Sequence, residues 1–152
     1  IEMILDERTE FCDALALNTG AAGTYLLGDQ VDLGKANNVG TGDYDEFVIT
    51  VDTTATSGGA ATAEFQLVSD AQAAIAVDGS ATVHWTSGPI PVAQLVAGAT
   101  LARVKLPKGF NYERYLGVLQ KTGTAAFTAG KINAFITPAS AGWNAFESNT
   151  GY

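Results

Sequence analysis

The sequence predicts an all-β protein, an antiparallel jelly-roll sandwich of about eight strands with extended arms at its N- and C-terminal ends. Three observations lead there. Seventeen glycines, frequent Thr and Val, and short apolar runs cut by Gly, Asn, Asp and Ser suit turns and pleated surfaces and disfavour helix interiors. Apolar and polar residues alternate with a period of two in several of those runs, as half-buried strands require. No long helical pattern separates the runs, so parallel strands joined by crossover helices are disfavoured.

In chain order, the N-terminal stretch 4–17 reads two ways. Ile4, Arg8, Phe11, Cys12 and Leu15 can line a helical face with Asp6 as a weak N-cap, or the segment is an extended arm. Strands are expected over 25–33, 46–53, 61–68, 81–86, 100–106, 114–121 and 131–137, with turns at 34–43, 57–59, 78–80, 89–98, 107–111 and 122–130. The alternation is cleanest where Ala63, Phe65 and Leu67 interleave with Glu64 and Gln66, and where Ala102, Val104 and Leu106 interleave with Arg103 and Lys105. Phe47, Val48, Ile49 and Val51 are apolar on both faces, which marks a central strand covered by the core on one side and by a partner or a loop on the other. Residues 91–96 suit one helical turn, with Pro91 at an early position where its missing N–H does no harm. The division expected is an arm over 1–17, a jelly-roll domain over 18–137 and a tail over 138–152. That tail is rich in Ala, Ser, Gly and Asn yet carries Trp143, Phe146 and Tyr152, aromatics that dock either on the parent sandwich or on a neighbour.

A chain of 152 residues is one domain, large enough to bury a substantial core. Eight Lys plus Arg against sixteen Asp plus Glu give a formal net charge of -8, poor material for neutralising phosphates, so nucleic acid is disfavoured as a partner. No stretch approaches the roughly 20 apolar residues of a membrane span. The start, Ile1 to Arg8, lacks the basic and apolar regions of a signal peptide, so a soluble, unsecreted protein is expected. Ile1 and Glu2 precede Met3, and the sequence leaves open whether they are native.

The reactive inventory is small: one Cys, one His and one Met. Cys12 cannot form an internal disulfide, and its neighbours Glu10 and Asp13 oppose thiolate formation, so it reads as a small apolar residue. His84, in the strand-like run 82–86 beside Trp85, reads as a packed residue. No Ser sits in a Gly-x-Ser-x-Gly elbow. The glycines between 123 and 130 lack phosphate-loop spacing, and Ile132 stands where that loop needs Ser or Thr, so they mark a turn leading into a strand. Asp43, Asp45 and Glu46 could offer oxygens to an ion, but a solvated acidic turn entering a strand is commoner. No catalytic, cofactor or metal site is expected, and the chain reads as a structural or binding protein that works by its surfaces.

Several elements together resemble a known family. These are Met3-Ile4-Leu5-Asp6 leading to Phe11-Cys12-Asp13-Ala14, Val31-Asp32-Leu33-Gly34, the run from Gly88 through Pro89, Ile90 and Pro91 to Gly98, Leu106-Pro107-Lys108-Gly109, Arg114-Tyr115-Leu116, and Phe127-Thr128-Ala129-Gly130-Lys131-Ile132. Their order and spacing resemble the capsid cement (decoration) proteins of tailed bacteriophages, of the type first described in a Bordetella phage. Two departures stand out: a serine is usual where this chain has Cys12, and the tail after Thr137 is longer than in that family.

The resemblance implies a jelly-roll protein, made in the host cytoplasm, that sits on the outer face of an icosahedral head. It implies non-covalent clamping of neighbouring major capsid proteins of the HK97-like fold, and a homodimer in preference to a trimer. The capsid and inter-protomer contacts are then expected at Met3, Ile4, Leu5 and Phe11 of the arm and at Trp143, Phe146 and Tyr152 of the tail, because aromatic and large apolar anchors dominate interfaces. Two other readings stay open. A carbohydrate- or host-surface-binding module needs an exposed aromatic platform from Trp85, Trp143 or the tyrosines, and a small sandwich hydrolase needs His84 and a carboxylate to meet in a cleft.

Overall fold

The structure, a computed structural model, describes residues 10–32, 45–105 and 112–138. They form nine strands: β1 (Glu10–Ala16), β2 (Gly23–Asp32), β3 (Asp45–Ser57), β4 (Thr62–Asp70), β5 (Thr82–Thr86), β6 (Ile90–Pro91), β7 (Thr100–Lys105), β8 (Tyr115–Gly123) and β9 (Phe127–Pro138). A single 3-10 turn spans Val92–Gln94, with Pro91 just before it. Among the described residues no helix is long and apolar enough to cross a membrane.

All pairings are antiparallel, in two sheets of order β1-β9-β3-β7 and β2-β8-β4-β5, with the short β6 added beside β4. With β6 set aside, the first, last, third and sixth of the eight longer strands make one sheet. The second, seventh, fourth and fifth make the other. That is the strand order of a jelly roll, as the sequence predicts.

The seven strands expected from the sequence are all present, and their inward faces follow the alternation. Ala63, Phe65 and Leu67 are fully buried while Glu64 and Gln66 are half-exposed, and Ala102 is buried and Val104 half-buried between the exposed Arg103 and Lys105 positions. Leu106 lies outside the described residues. Phe47, Ile49, Val51 and Ala55 of β3 meet Phe65, Leu67, Leu116 and Val118 of the opposite sheet in one core. Two T-shaped aromatic contacts centre on Phe47: one with Phe11 of the same sheet (5.8 Å, 83°) and one with Trp85 of the other (5.6 Å, 68°).

Three expectations need correction. Glu10–Ala16 is neither a helix nor a free arm; it is an edge strand of the first sheet, and Leu17 is buried behind it, so the sandwich reaches back into the segment expected as the arm. The turn expected over 122–130 is much tighter, because β8 runs to Gly123 and β9 starts at Phe127, leaving Gly130 inside a strand. Phe11, expected at an interface, is 1% exposed in the core.

Both sheets are covered on their outer faces as well. On the second sheet, Ile75 from the β4–β5 connection folds over Val68 and Leu119, with Leu26 and Tyr115 at the edge of this smaller cluster. Gly117 lies beneath it, and a Cβ there would collide with Ile75 Cδ1. On the first sheet, Val48 faces away from the core, opposite Phe135 in register, yet is only 1% exposed.

Polar groups fix the crossings between sheets. Gln120 is fully buried; its side-chain oxygen accepts the Asn18 N–H (2.9 Å) and its amide donates to Asn18 O (3.2 Å) and Thr122 Oγ1 (2.8 Å). The β1–β2 turn is thereby pinned to β8 by a side chain with no unpaired polar atom. Where β2 passes β1, Gly28 adopts φ +66° and a Cβ would strike the Phe11 carbonyl oxygen, so only glycine fits.

Replacing Gly117 by Val is expected to destabilise the fold by about 1–3 kcal/mol through overpacking against Ile75. In a double-mutant cycle with Ile75→Ala, read by urea unfolding, the two changes should cost less together than their sum; strict additivity would show that Ile75 does not sit over Gly117.

Candidate functional site

The charged and reactive side chains gather toward one end of the sandwich. There β4 ends, β5 begins and the 112–114 segment leads into β8. Ser69, the last inward-facing residue of β4, is 0% exposed, and its Oγ lies 2.7 Å from His84 Nε2 and accepts the Glu113 N–H (3.2 Å). The His84 ring packs on the buried Tyr112 ring at 4.1 Å. The Glu113 carboxylate accepts the Thr82 hydroxyl (2.7 Å).

A serine, a histidine and a carboxylate thus meet, but in a structural arrangement. The Ser69 hydroxyl is closed to solvent, and the acid is hydrogen-bonded to Thr82 instead of orienting the imidazole, unlike a nucleophilic triad. The network also selects the charge state of His84. With Ser69 Oγ already accepting from Glu113, its proton needs an acceptor, which the lone pair of a neutral His84 Nε2 supplies. An imidazolium would become a second donor and leave the buried hydroxyl proton without a partner. Burial accordingly lowers the His84 pKa below 6.5, with the Glu113 charge opposing.

Burial pushes the Cys12 thiol up to about 11; the Ala134 backbone amide opposes this in part, and Glu10 and Asp13 add to it. The thiol lies 3.7 Å from Ile132 O. It packs as the sequence suggests. Next to this end, Arg114 donates to both oxygens of Asp32 (2.9 and 3.0 Å) and lies over the Tyr115 ring, joining the end of β2 to the entrance of β8 at the surface, where solvent screens the pair and it contributes little to stability.

Of the sequence-derived interface residues, only Phe11 is described, and it belongs to the core; Met3, Ile4, Leu5, Trp143, Phe146 and Tyr152 lie outside the described residues. So does Asp43, while Glu46, in β3 next to Asp45, is 3% exposed opposite Lys105 in register. Among the described residues no three His, Cys, Asp or Glu come together as a metal would require. Trp85 is half-buried in T-shaped contact with Phe47, and Tyr25 is half-buried with its hydroxyl donating to Ala21 O (2.6 Å). The first strand begins and the last strand ends at the same end of the sandwich, where Glu10 pairs with Phe135 and Pro138 pairs with Asp45.

Two measurements follow from these environments. Because His84 is held neutral in the fold, its contribution to stability is intact above pH 6.5 and is lost as the pH falls below that value. Urea midpoints taken from about pH 7.5 to about pH 5 should fall more steeply for the wild type than for His84→Gln; parallel profiles would contradict the assignment. Cys12 should react with a thiol reagent only as the protein unfolds, and immediate stoichiometric labelling of the native protein would show that the thiol is not buried.

No curated protein matches the chain. A family model described as Bbp16 matches residues 11–136, nearly the whole of the described sandwich from β1 to β9. The chain belongs to the Bbp16 family, a phage-related family of Bordetella-phage type.

Proposed function

We propose that the protein is a capsid cement protein. It binds the outer surface of an icosahedral phage head and clamps neighbouring major capsid proteins of the HK97-like fold. It acts by non-covalent contact without catalysis or a cofactor, functions as a homodimer, and takes neither nucleic acid nor membrane as a partner. The observation that carries this reading is the Bbp16 match extending over a complete jelly roll.

The physics of such a role is mass action. A ligand that binds only the expanded lattice stabilises that lattice by RT ln(1 + [L]/Kd), about 2.7 kcal/mol per site at a hundredfold excess over Kd. Repetition over the shell multiplies a modest contact into a large total. The arms are the parts suited to reach across subunit boundaries: Met3, Ile4 and Leu5 at one terminus, and Trp143, Phe146 and Tyr152 at the other. Both leave the sandwich from the same end, which supports a single gripping end per protomer.

Co-sedimentation with expanded, empty heads tests the reading. The full chain should saturate the heads at a fixed ratio, and removal of residues 139–152 should lower occupancy while the sandwich stays folded by circular dichroism. Unchanged occupancy after that deletion would remove the tail from the interface.

A further inference from the structure

The three residues that lead into β8 reach three other strands. The Tyr112 ring packs on the His84 imidazole of β5 at 4.1 Å. Glu113 donates its N–H to Ser69 Oγ of β4 (3.2 Å), and its carboxylate accepts the Thr82 hydroxyl of β5 (2.7 Å). Arg114 holds Asp32 at the end of β2. Ser69 Oγ, 2.7 Å from His84 Nε2, closes a circuit of hydrogen bonds that runs from β4 to β5, on to Glu113 and back to β4. Residues 112–114 thereby clasp β2, β4 and β5 together at one end of the sandwich.

The circuit has a second arrangement. In the first, neutral His84 accepts the Ser69 proton at Nε2 while Glu113 serves Thr82. One proton taken up from water at Nε2 turns that nitrogen into a donor facing a hydroxyl that must itself donate. The charges on the elements packed around the imidazole decide where it turns. On β4, Asp70 accepts the Gln72 and Ala76 N–H groups (3.3 and 2.9 Å), and Glu64 accepts from Gln66 and Thr86 at the far end of β5. On the 112–114 segment, Arg114 is engaged with Asp32, and Tyr112 stays protonated because burial pushes its hydroxyl up to about 12. β5 carries no ionisable side chain besides His84. Glu113 is the charge that acts on His84, and it favours the protonated imidazole. Imidazole on Ser69 and imidazolium on Glu113 are two discrete pairings, as a switch requires.

The part that can yield is small. Among the described strands β5 pairs only with β4, and their register shifts between Val83 and Trp85, where His84 stands. Beyond the shift, Trp85 is seated on Phe47 and Thr86 donates to Glu64 (3.0 Å), contacts in which His84 takes no part. Before it, Thr82 and Val83 are exposed.

We propose that residues 112–114 form an acid-released clasp: protonation of His84 moves the imidazole from Ser69 to the Glu113 carboxylate, Thr82 loses its acceptor, and Glu113 and the start of β5 loosen from β4 while the two-sheet core stays folded. Burial keeps His84 neutral and the clasp shut at neutral pH, and it opens as the pH falls below 6.5. The clasp is independent of the cement role.

Native-state amide hydrogen exchange of the full chain, corrected for intrinsic rates and compared at about pH 7.5 and about pH 5, tests the clasp. The Glu113 amide should lose about tenfold or more of its protection at the lower pH while the amides of Phe65, Leu67 and Val118 keep theirs. In His84→Gln, which takes up no proton, the Glu113 amide should be equally protected at both. An NMR titration of His84 adds a readout that simple loosening does not mimic. Glu113→Gln removes the counter-ion and should lower the His84 midpoint by about half a pH unit or more. Should that variant fold poorly, the exchange data on the wild type and His84→Gln decide alone. Equal Glu113 protection at the two pH values, loss in step with the core amides, or a His84 midpoint unmoved by Glu113→Gln would overturn the clasp.

Discussion

The sandwich depends on Phe47. Fully buried in the first sheet, it makes T-shaped contacts with Phe11 from the outermost strand of that sheet and with Trp85 from the outermost long strand of the other. One ring thereby sets the depth of both sheets at their margins, and its truncation would be expected to cost about 3–5 kcal/mol. The placement of Trp85 has a further effect, because His84 precedes it on β5. Once Trp85 is seated on Phe47, the imidazole is held within 2.7 Å of Ser69 Oγ, and the polar cluster at the charged end follows from an apolar contact in the core.

Much of this was legible in the residues. Where a strand is buried on one face and regular, as from Ala63 to Leu67, the period of two shows both its presence and its orientation. Where it is covered twice, as at Phe47 to Val51, the loss of alternation is itself the signal. The first strand escaped because its regularity is broken: register shifts fall between Glu10 and Cys12 and between Cys12 and Leu15, and Ala14 has φ +48°. The spacing of Phe11, Cys12 and Leu15 then mimics a helical face.

The candidate site was less legible, for a related reason. Ser69 and His84 are fifteen residues apart, and Asn18 and Gln120 more than a hundred; neither pair has a local pattern that announces it. Ile75 is one of two large apolar residues, with Val77, in a connection otherwise of Ala, Gln, Asp, Gly and Ser, and only the notch at Gly117 shows what it covers.

The result is a molecule with two unlike ends. Among the described residues, one end carries the His84 cluster, the start of β1 and the end of β9, and the other is built from the charge-free runs 14–28, 53–63, 85–102 and 122–130. That asymmetry suits a protein that grips a shell with one end. The most direct measurement of that role is a cryo-electron-microscopy comparison of expanded heads with and without the protein. The cement reading requires added density of a two-sheet jelly roll on the outside of the shell, bridging adjacent capsid subunits at every equivalent site. Identical shells in the two reconstructions, or density confined to the interior or the tail, would contradict it.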